Sequence, residues 1–223
     1  MLVKNRMTAD PVAVRPSDTL ADALRLTREH RIRHLPVVDG EALVGIVSDR
    51  DIRLAMPSPL TVADADRAAF LERTPVSEVM TREVETVGPY DPVEDAARQL
   101  CRRRVGALPV VDAHGRLLGI VTETDILHAF AEVVGAGGAA SRLEVSLPDR
   151  PGELARALHI LGEDLRLNIT GLMVLPKPEG GRKTAIVHVA TIDPREAIAA
   201  LERAGCRVGW PSLEADLRKG MPS

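Results

Sequence analysis

Apolar and polar positions along the first half of the chain follow two different periods. Leu20, Leu24 and Thr27 are spaced four and then three residues apart, which predicts a helix with one buried face. Two runs rich in β-branched residues come next, 34–39 and 43–48, joined by a short polar turn. These runs predict a pair of buried strands, after which a second helix is expected.

The same pattern recurs 73 residues later, which indicates an internal repeat. Met7-Thr8 returns as Met80-Thr81, and Leu35-Pro-Val-Val-Asp39 returns as Leu108-Pro-Val-Val-Asp112. One extra residue in the next turn moves Gly45-Ile-Val47 to Gly119-Ile-Val121, 74 residues later. Each copy is predicted to be a β-α-β-β-α unit.

The second copy contains the same predicted elements. Its helix stripe and its two strands are expected at Val93, Ala97 and Leu100, at 105–112 and at 117–122. Asp91 is predicted to cap this helix, with Pro92 at the first helical position and Glu94 completing a capping box.

Composition and charge exclude several classes of partner. The chain is 45% hydrophobic and 27% charged, as in ordinary globular proteins, but only 2% aromatic, and its net charge is −3. Few rings and a negative charge argue against a nucleic-acid partner. No apolar run approaches the ~18–20 residues of a membrane span, and the charged N-terminus does not resemble a signal peptide. With two distant cysteines, Cys101 and Cys206, a reduced, cytoplasmic, soluble protein is predicted.

A Ser/Thr-x-x-Asp motif follows the second strand of each copy, as Ser48-Asp51 and Thr122-Asp125. One interpretation is structural: the hydroxyl and the carboxylate form a capping box at the start of a helix. The other is functional, because a helix that begins at the carboxyl end of a buried strand presents N–H groups to an anionic ligand. The paired motif is therefore compatible with two interpretations, a helix cap and a pair of binding sites.

The repeated motifs resemble the cystathionine-β-synthase (CBS) domain, whose tandem copies form a module with pseudo-twofold symmetry. The resemblance rests on Met-Thr, Leu-Pro-Val-Val-Asp and Gly-Ile-Val-Ser/Thr-x-x-Asp-Ile in both copies, and it covers about residues 4–132. We expect CBS repeats at 1–58 and 76–134, connected by a linker at 59–75 with a helix at 62–73.

The resemblance implies a binding cleft for an adenosine-containing ligand such as AMP, ADP, ATP, NAD or S-adenosylmethionine, with no cofactor required. It places Asp51 and Asp125 on the ribose, Ser48 and Thr122 on the ribose or α-phosphate, Val12, Val84 and Ala107 beside adenine, and Arg31, Arg33 and His34 near phosphates. Gly106 and Ala107 replace Arg33 and His34 in the second copy, so the first copy suits a charged tail better. The arginines could equally be a solvated helix end.

The second half of the chain has a different order of elements. Leu154, Leu158, Leu161 and Leu165 predict one helix, and Pro194 begins another that runs through Ala204. Strands are predicted at 142–147, 168–175, 184–190 and 206–210, which gives a ferredoxin-like βαββαβ order. The glycine-rich segment 135–141 follows a helix and precedes a strand, so it is interpreted as a hinge, not a dinucleotide fingerprint. The predicted fold class is α+β.

This half, residues 142–217 with a tail at 218–223, resembles the ACT domain, a small regulatory module that often binds amino acids at a dimer interface. The resemblance rests on Asp149-Arg-Pro-Gly-Glu-Leu154 and Asn168-Ile169. It implies that Asp149, Gly152 and Glu153 hold the polar groups of an amino acid, with Asn168 and Ile169 opposite. The alternative is a dimerisation module in which Gly152 only permits a tight turn.

The motifs predict regulation without catalysis. The six histidines lack metal-ligand spacing, and neither His-Glu-x-x-His nor Gly-x-Ser-x-Gly occurs. We expect a homodimeric sensor of small molecules that acts on an unidentified target protein. The order of a CBS pair and an ACT domain resembles the acetoin-utilisation AcuB-type proteins, which implies a role in acetoin or acetate metabolism. A ligand-free interaction scaffold, or an enzyme with Asp51 or Asp125 as a base, are the alternatives.

Overall fold

The computed structural model describes residues 1–58, 60, 63–133, 140–175 and 180–209. The chain divides into two compact units, Met1–His128 and Ala129–Ser223. Most of the predicted hinge at 135–141, the tail at 218–223, and Trp210 at the end of the last predicted strand lie outside the described residues.

The first unit contains the two repeats. Its helices and strands are β1 (Thr8–Ala9), α1 (Leu20–Glu29), β2 (His34–Asp39), β3 (Ala42–Ser48), α2 (Asp49–Ala55), α3 (Asp64–Arg73), α4 (Val93–Arg103), β4 (Ala107–Val111), β5 (Leu117–Thr122) and α5 (Glu123–Val133), the last of which continues past His128. Short 3-10 turns lie at Val3–Asn5 and Val76–Glu78.

The two repeats exchange their N-terminal segments. β1 of the first repeat pairs with β5 of the second, with Thr8 opposite Ile120 and Ala9 opposite Gly119, in a sheet ordered β1-β5-β4. In return, Thr81 of the second repeat bridges Ile46 in β3, with backbone hydrogen bonds of 2.9 and 3.0 Å. The predicted first strand of each repeat therefore pairs with the other repeat. In the second repeat, this strand is reduced to a single β-bridge between Thr81 and Ile46.

Two equivalent glycines make this exchange sterically feasible. A Cβ on Gly119 would lie 2.9 Å from the Thr8 carbonyl oxygen and 2.7 Å from Met7 Sδ. A Cβ on Gly45 would lie 3.2 Å from the Thr81 carbonyl oxygen and 2.6 Å from the sulfur of Met80. The Met-Thr motif of each repeat thus contacts the Gly-Ile-Val motif of the other repeat.

The predicted cap of α4 at Asp91 is wrong. α4 begins at Val93 with Pro92 at the N-cap, while Asp91 Oδ2 accepts a 2.7 Å hydrogen bond from the Gly88 backbone N–H. The carboxylate closes the preceding turn and therefore does not cap the helix. Asp18 does the same for Arg15 at 2.7 Å, and Thr19 caps α1.

The cores lie where the predicted stripes meet the strands. Leu20, Leu24 and Thr27 are buried, and in the second repeat Val93 and Leu100 are buried while Ala97 is partly exposed. α3 has no buried residue, although Phe70 and Leu71 pack against the core of the first repeat.

The second unit has the predicted order of elements. They are β6 (Ser141–Pro148), α6 (Glu153–His159), β7 (Ile169–Val174), β8 (Arg182–Val189), α7 (Arg195–Arg203) and β9 (Arg207–Gly209). The strands form one antiparallel sheet in the order β7-β8-β6-β9. α6 ends in a π-type turn at Ile160–Asp164, and Leu161 in that turn is buried in the core.

Candidate functional site

A capping box joins β3 to α2. The backbone N–H and the hydroxyl of Ser48 both donate to Asp51 Oδ2, at 2.9 and 2.6 Å, and Ser48 Oγ accepts from the Asp51 N–H at 3.2 Å. The second repeat forms the same box, since Thr122 N–H and Oγ1 donate to Asp125 Oδ2 at 2.8 and 2.7 Å. The structural interpretation of the motif is confirmed for both copies.

The cap does not exclude a role in binding. Both hydrogen bonds from Ser48 to the Asp51 side chain end at Oδ2, and no hydrogen bond from a described residue reaches Asp51 Oδ1. Asp51 is also only partly buried. One carboxylate oxygen therefore holds the helix start while the other retains its capacity to accept.

Beside this box lies a cavity of about 270 Å³, here called the cap cavity. It is lined by His34, Ile46, Ser48, Arg50, Asp51, Thr81, Glu83, Val84, Glu85, Arg104, Val105, Gly106 and Ala107. Both repeats contribute, because the pairing of Ile46 with Thr81 brings residues 81–85 alongside the Ser48–Asp51 box.

A second cavity of about 450 Å³, here called the arginine cavity, adjoins the first and shares six lining residues with it. It is lined by Arg33, His34, Ser48, Asp49, Arg50, Leu100, Cys101, Arg104, Val105, Gly106 and Glu123. Arg33, Arg50 and Arg104 give this cavity three cationic groups, whereas one of its two carboxylates, Asp49, forms an ion pair with Arg53. The cap cavity can therefore accommodate an uncharged group, and the arginine cavity can accommodate an anionic group next to it.

Five of the ten residues that the resemblance places around the nucleotide line the cap cavity: His34, Ser48, Asp51, Val84 and Ala107. Arg33 lines only the arginine cavity.

Val12, Thr122 and Asp125 line neither cavity. Val12 instead packs, partly buried, against the core of the first repeat. In the repeat Val12 corresponds to Glu85, not to Val84, so the two valines are not equivalent positions.

Arg50 and Arg104 line both cavities and were not among the expected residues. Arg50 lies inside the Ser48-x-x-Asp51 motif, so its position beside the site could have been predicted from the sequence. Arg104 ends α4 in the left-handed conformation, with φ of 56°, and the equivalent Arg31 has φ of 55°. Arg31, which was expected near phosphates, lines neither cavity.

His34 connects the two repeats at this site. A Cβ on Gly106 would lie 2.9 Å from His34 Cε1 and 3.0 Å from Nε2, so the ring packs against backbone that lacks a side chain. Burial lowers the pKa of His34 below its usual value, and the neighbouring Arg33 guanidinium adds to this. The carboxylates of Asp49, Asp51 and Glu123 act in the opposite direction.

In the second unit, the residues expected to hold an amino acid occupy opposite ends of the sheet. Asp149, which forms a 3.0 Å ion pair with Lys183, and the turn at Gly152, with φ of 89°, follow the end of β6 that pairs with Arg182. Glu153 there pairs with Arg156 at 3.1 Å.

Ile169 pairs with Val189, which lies opposite Ser141 at the other end of β6, and Asn168 precedes it. Seven residues of strand, roughly 23 Å, separate the two ends. Within one copy of the chain, Asp149, Gly152 and Glu153 are therefore separated from Asn168 and Ile169. A site that combines the two groups at a dimer interface stays a prediction.

Within the described ranges, no cluster of three or more His, Cys, Asp or Glu side chains has the arrangement of a metal site. No helix among the described residues is long and apolar enough to span a membrane.

Comparison with known proteins agrees with the architecture of the first unit. The CBS domain model matches residues 3–58 and 76–132. A CBS domain-containing protein of Dictyostelium discoideum is 38% identical over 136 residues, which are 60% of this chain and 94% of that protein.

Two solved structures are each similar to more than half of the chain. CBSX2 in complex with AMP has 33% identity and a TM-score of 0.50, over 59% of this chain and 97% of that one; CBSX2 is a CBS-pair protein from Arabidopsis thaliana. A putative acetoin utilization protein (AcuB) from Vibrio cholerae has 32% identity and a TM-score of 0.50, over 58% and 90% of the two chains. The CBS resemblance expected from the sequence is thus confirmed, and the chain belongs to the CBS domain family.

Proposed function

We propose that the chain is a non-catalytic regulatory protein that binds an adenosine-containing ligand in the cap cavity. The observation that carries this proposal is the Ser48–Asp51 box, whose second carboxylate oxygen remains available beside a cavity built from both repeats. CBS pairs are in general regulatory and not catalytic, and the similar CBSX2 structure contains AMP.

The lining residues support one orientation of such a ligand. Asp51 Oδ1 accepts hydrogen bonds from the ribose hydroxyls, while Val84 and Ala107 supply the apolar surface for adenine. Arg50 and Arg104 reach from the cap cavity into the arginine cavity, where they neutralise a phosphate. Thr122 and Asp125, which form the same box, belong to a second half-site of the pair in this proposal.

A thermal-shift panel on the purified full chain tests the proposal. AMP, ADP, ATP, NAD and S-adenosylmethionine are compared, each at saturating concentration. A ligand at 100 times its dissociation constant stabilises the protein by about 2.7 kcal/mol, which raises the melting temperature measurably. No shift with any of these ligands would refute the proposal and favour the ligand-free scaffold. Turnover of a bound nucleotide would instead indicate an enzyme.

Replacing Arg104 by glycine separates a role in binding from a role in folding. The expected result is about tenfold weaker AMP binding, because a charged hydrogen-bond donor to the phosphate is lost. The melting temperature should not fall, because glycine adopts the left-handed conformation of residue 104 without strain.

Arg31→Gly is the matched control, since Arg31 has nearly the same φ and lines neither cavity. Calorimetric titration with AMP should give the wild-type affinity for Arg31→Gly. Equal affinities for the two variants would contradict the role of Arg104.

We infer that the second unit is an ACT-type module. Its βαββαβ order, its antiparallel sheet and the left-handed Gly152 between β6 and α6 support this. Because the two groups of expected ligand residues lie at opposite ends of the sheet, the dimerisation role is favoured over an amino-acid site within one copy. Light scattering checks this: a monomer, together with a thermal shift caused by one of the twenty amino acids, would reverse the preference.

A role in acetoin or acetate metabolism is a narrower proposal. Its support is the likeness to AcuB from Vibrio cholerae, which extends over 58% of this chain. Capture of an enzyme of acetoin metabolism by the full chain, dependent on AMP, would support this role. Absence of such capture by both the ligand-free and the AMP-bound protein would argue against it.

A further inference from the structure

We propose that His34 makes the site sensitive to the charge of its ligand: the imidazole takes up a proton when a phosphate group occupies the arginine cavity. Binding of anionic adenosine ligands would then be coupled to pH, whereas binding of uncharged adenosine would not. This inference rests on the proposed function, because it concerns the same pair of cavities.

The position of His34 carries the proposal. His34 is one of the residues that line both cavities, so it lies next to the adenosine and the phosphate positions at once. Its ring packs against the backbone of Gly106, where any side chain would collide with it. Contact with the other repeat thus holds the ring at the junction of the two cavities.

Charged groups of both signs surround His34. Arg33, which directly precedes β2, disfavours the imidazolium, and Arg50 and Arg104 line both cavities beside the ring. Asp49 and Asp51 on α2 and Glu123 at the start of α5 favour it, and Glu83 and Glu85 line the cap cavity.

Most of these carboxylates have cationic or hydrogen-bonding partners of their own. Asp49 pairs with Arg53, Glu85 with Arg103 at 2.9 Å, and Asp51 accepts from Ser48. Burial therefore keeps His34 neutral at neutral pH, as the lowered pKa requires.

A phosphate changes this balance, because it brings up to two negative charges next to the ring. The pKa of His34 then rises on binding, and by linkage the affinity falls as pH increases from the pKa of the free protein to that of the complex. A rise of one unit corresponds to an affinity about tenfold higher below this interval than above it. Adenosine brings no such charge, so its affinity should not change.

Calorimetric titration of the full chain with AMP at pH 7, in two buffers of different ionisation enthalpy, measures the protons exchanged on binding. Net proton uptake is expected with AMP and none with adenosine. The phosphate itself has its second ionisation near pH 6 and would release protons on binding to arginines, so it cannot produce the expected sign. In His34→Gln, AMP binding should occur without the proton uptake seen for the wild type.

The outcomes separate the two proposals. AMP binding without proton uptake, or uptake that persists in His34→Gln, overturns the role of His34 and leaves the proposed function intact. Failure of both AMP and adenosine to bind overturns both. If His34→Gln does not fold, NMR titration of the His34 ring in the wild-type protein decides: its pKa should rise with AMP, and an unchanged pKa overturns the inference.

Discussion

Asp51→Ala is expected to weaken AMP binding by about 10- to 100-fold. The substitution removes the carboxylate that accepts from the ribose hydroxyls, and hydrogen bonds to a charged group contribute about 1.5–3 kcal/mol each. It also removes the capping box of α2, which should cost about 0.5–2 kcal/mol of stability. Calorimetry measures the affinity, and chemical denaturation measures the stability of the same variant.

Asp125→Ala is the matched control for the stability effect. It removes the same two hydrogen bonds to the carboxylate, here at the start of α5, with distances that differ from those at Asp51 by 0.1 Å. Because Asp125 does not line the cap cavity, tight AMP binding at that cavity should persist in this variant. A change in affinity of less than threefold for both variants would contradict the assignment of the two aspartates to the ribose.

Gly119→Ala should destabilise the protein by about 1–3 kcal/mol, the usual cost of inserting a methyl group into a packed position. The new Cβ would lie 2.9 Å from the Thr8 carbonyl oxygen, and this atom is fixed by the pairing of β1 with β5. Met7 can move its side chain away, but the backbone of Thr8 can move only if the pairing weakens.

Gly88→Ala provides the comparison within the same unit. Its Cβ would make only ordinary contacts of 3.4 Å with Asp91, so the denaturation midpoint should change little. If Gly119→Ala were as stable as Gly88→Ala, the close approach of Thr8 to β5 would be wrong, and with it the exchange between the repeats.

The repeat, the strands and the helices of each copy were predictable because each depends on a local period. The strands expected at 34–39 and 117–122 match β2 and β5, and the stripe of Leu20, Leu24 and Thr27 is buried. The exchange of N-terminal segments was not predicted, because pairing between residues 35 positions apart, as in Ile46 and Thr81, or 112 positions apart, as in Thr8 and Ile120, leaves no periodic signal. Gly119 is a position where another backbone can approach closely, but a single glycine does not contribute to the hydrophobic periodicity from which the helices and strands were predicted.

The candidate site was predictable in part for a related reason. Ser48 and Asp51 lie on adjacent elements, so the motif itself places them together. Arg104 reaches the site through the contact between the repeats and through its left-handed conformation, and neither is encoded in a local pattern. Val12, which the resemblance placed beside adenine, aligns in the repeat with Glu85 and packs against the core of the first repeat.

The most direct test of the central claim is the mapping of amide chemical shifts of the full chain during titration with AMP. Binding in the cap cavity predicts the largest changes at Ser48 and Asp51, at residues 81–85, and at Gly106 and Ala107, three segments that meet only through the exchange of the repeats. Saturating changes confined to other parts of the chain, or no changes at millimolar AMP, would contradict it.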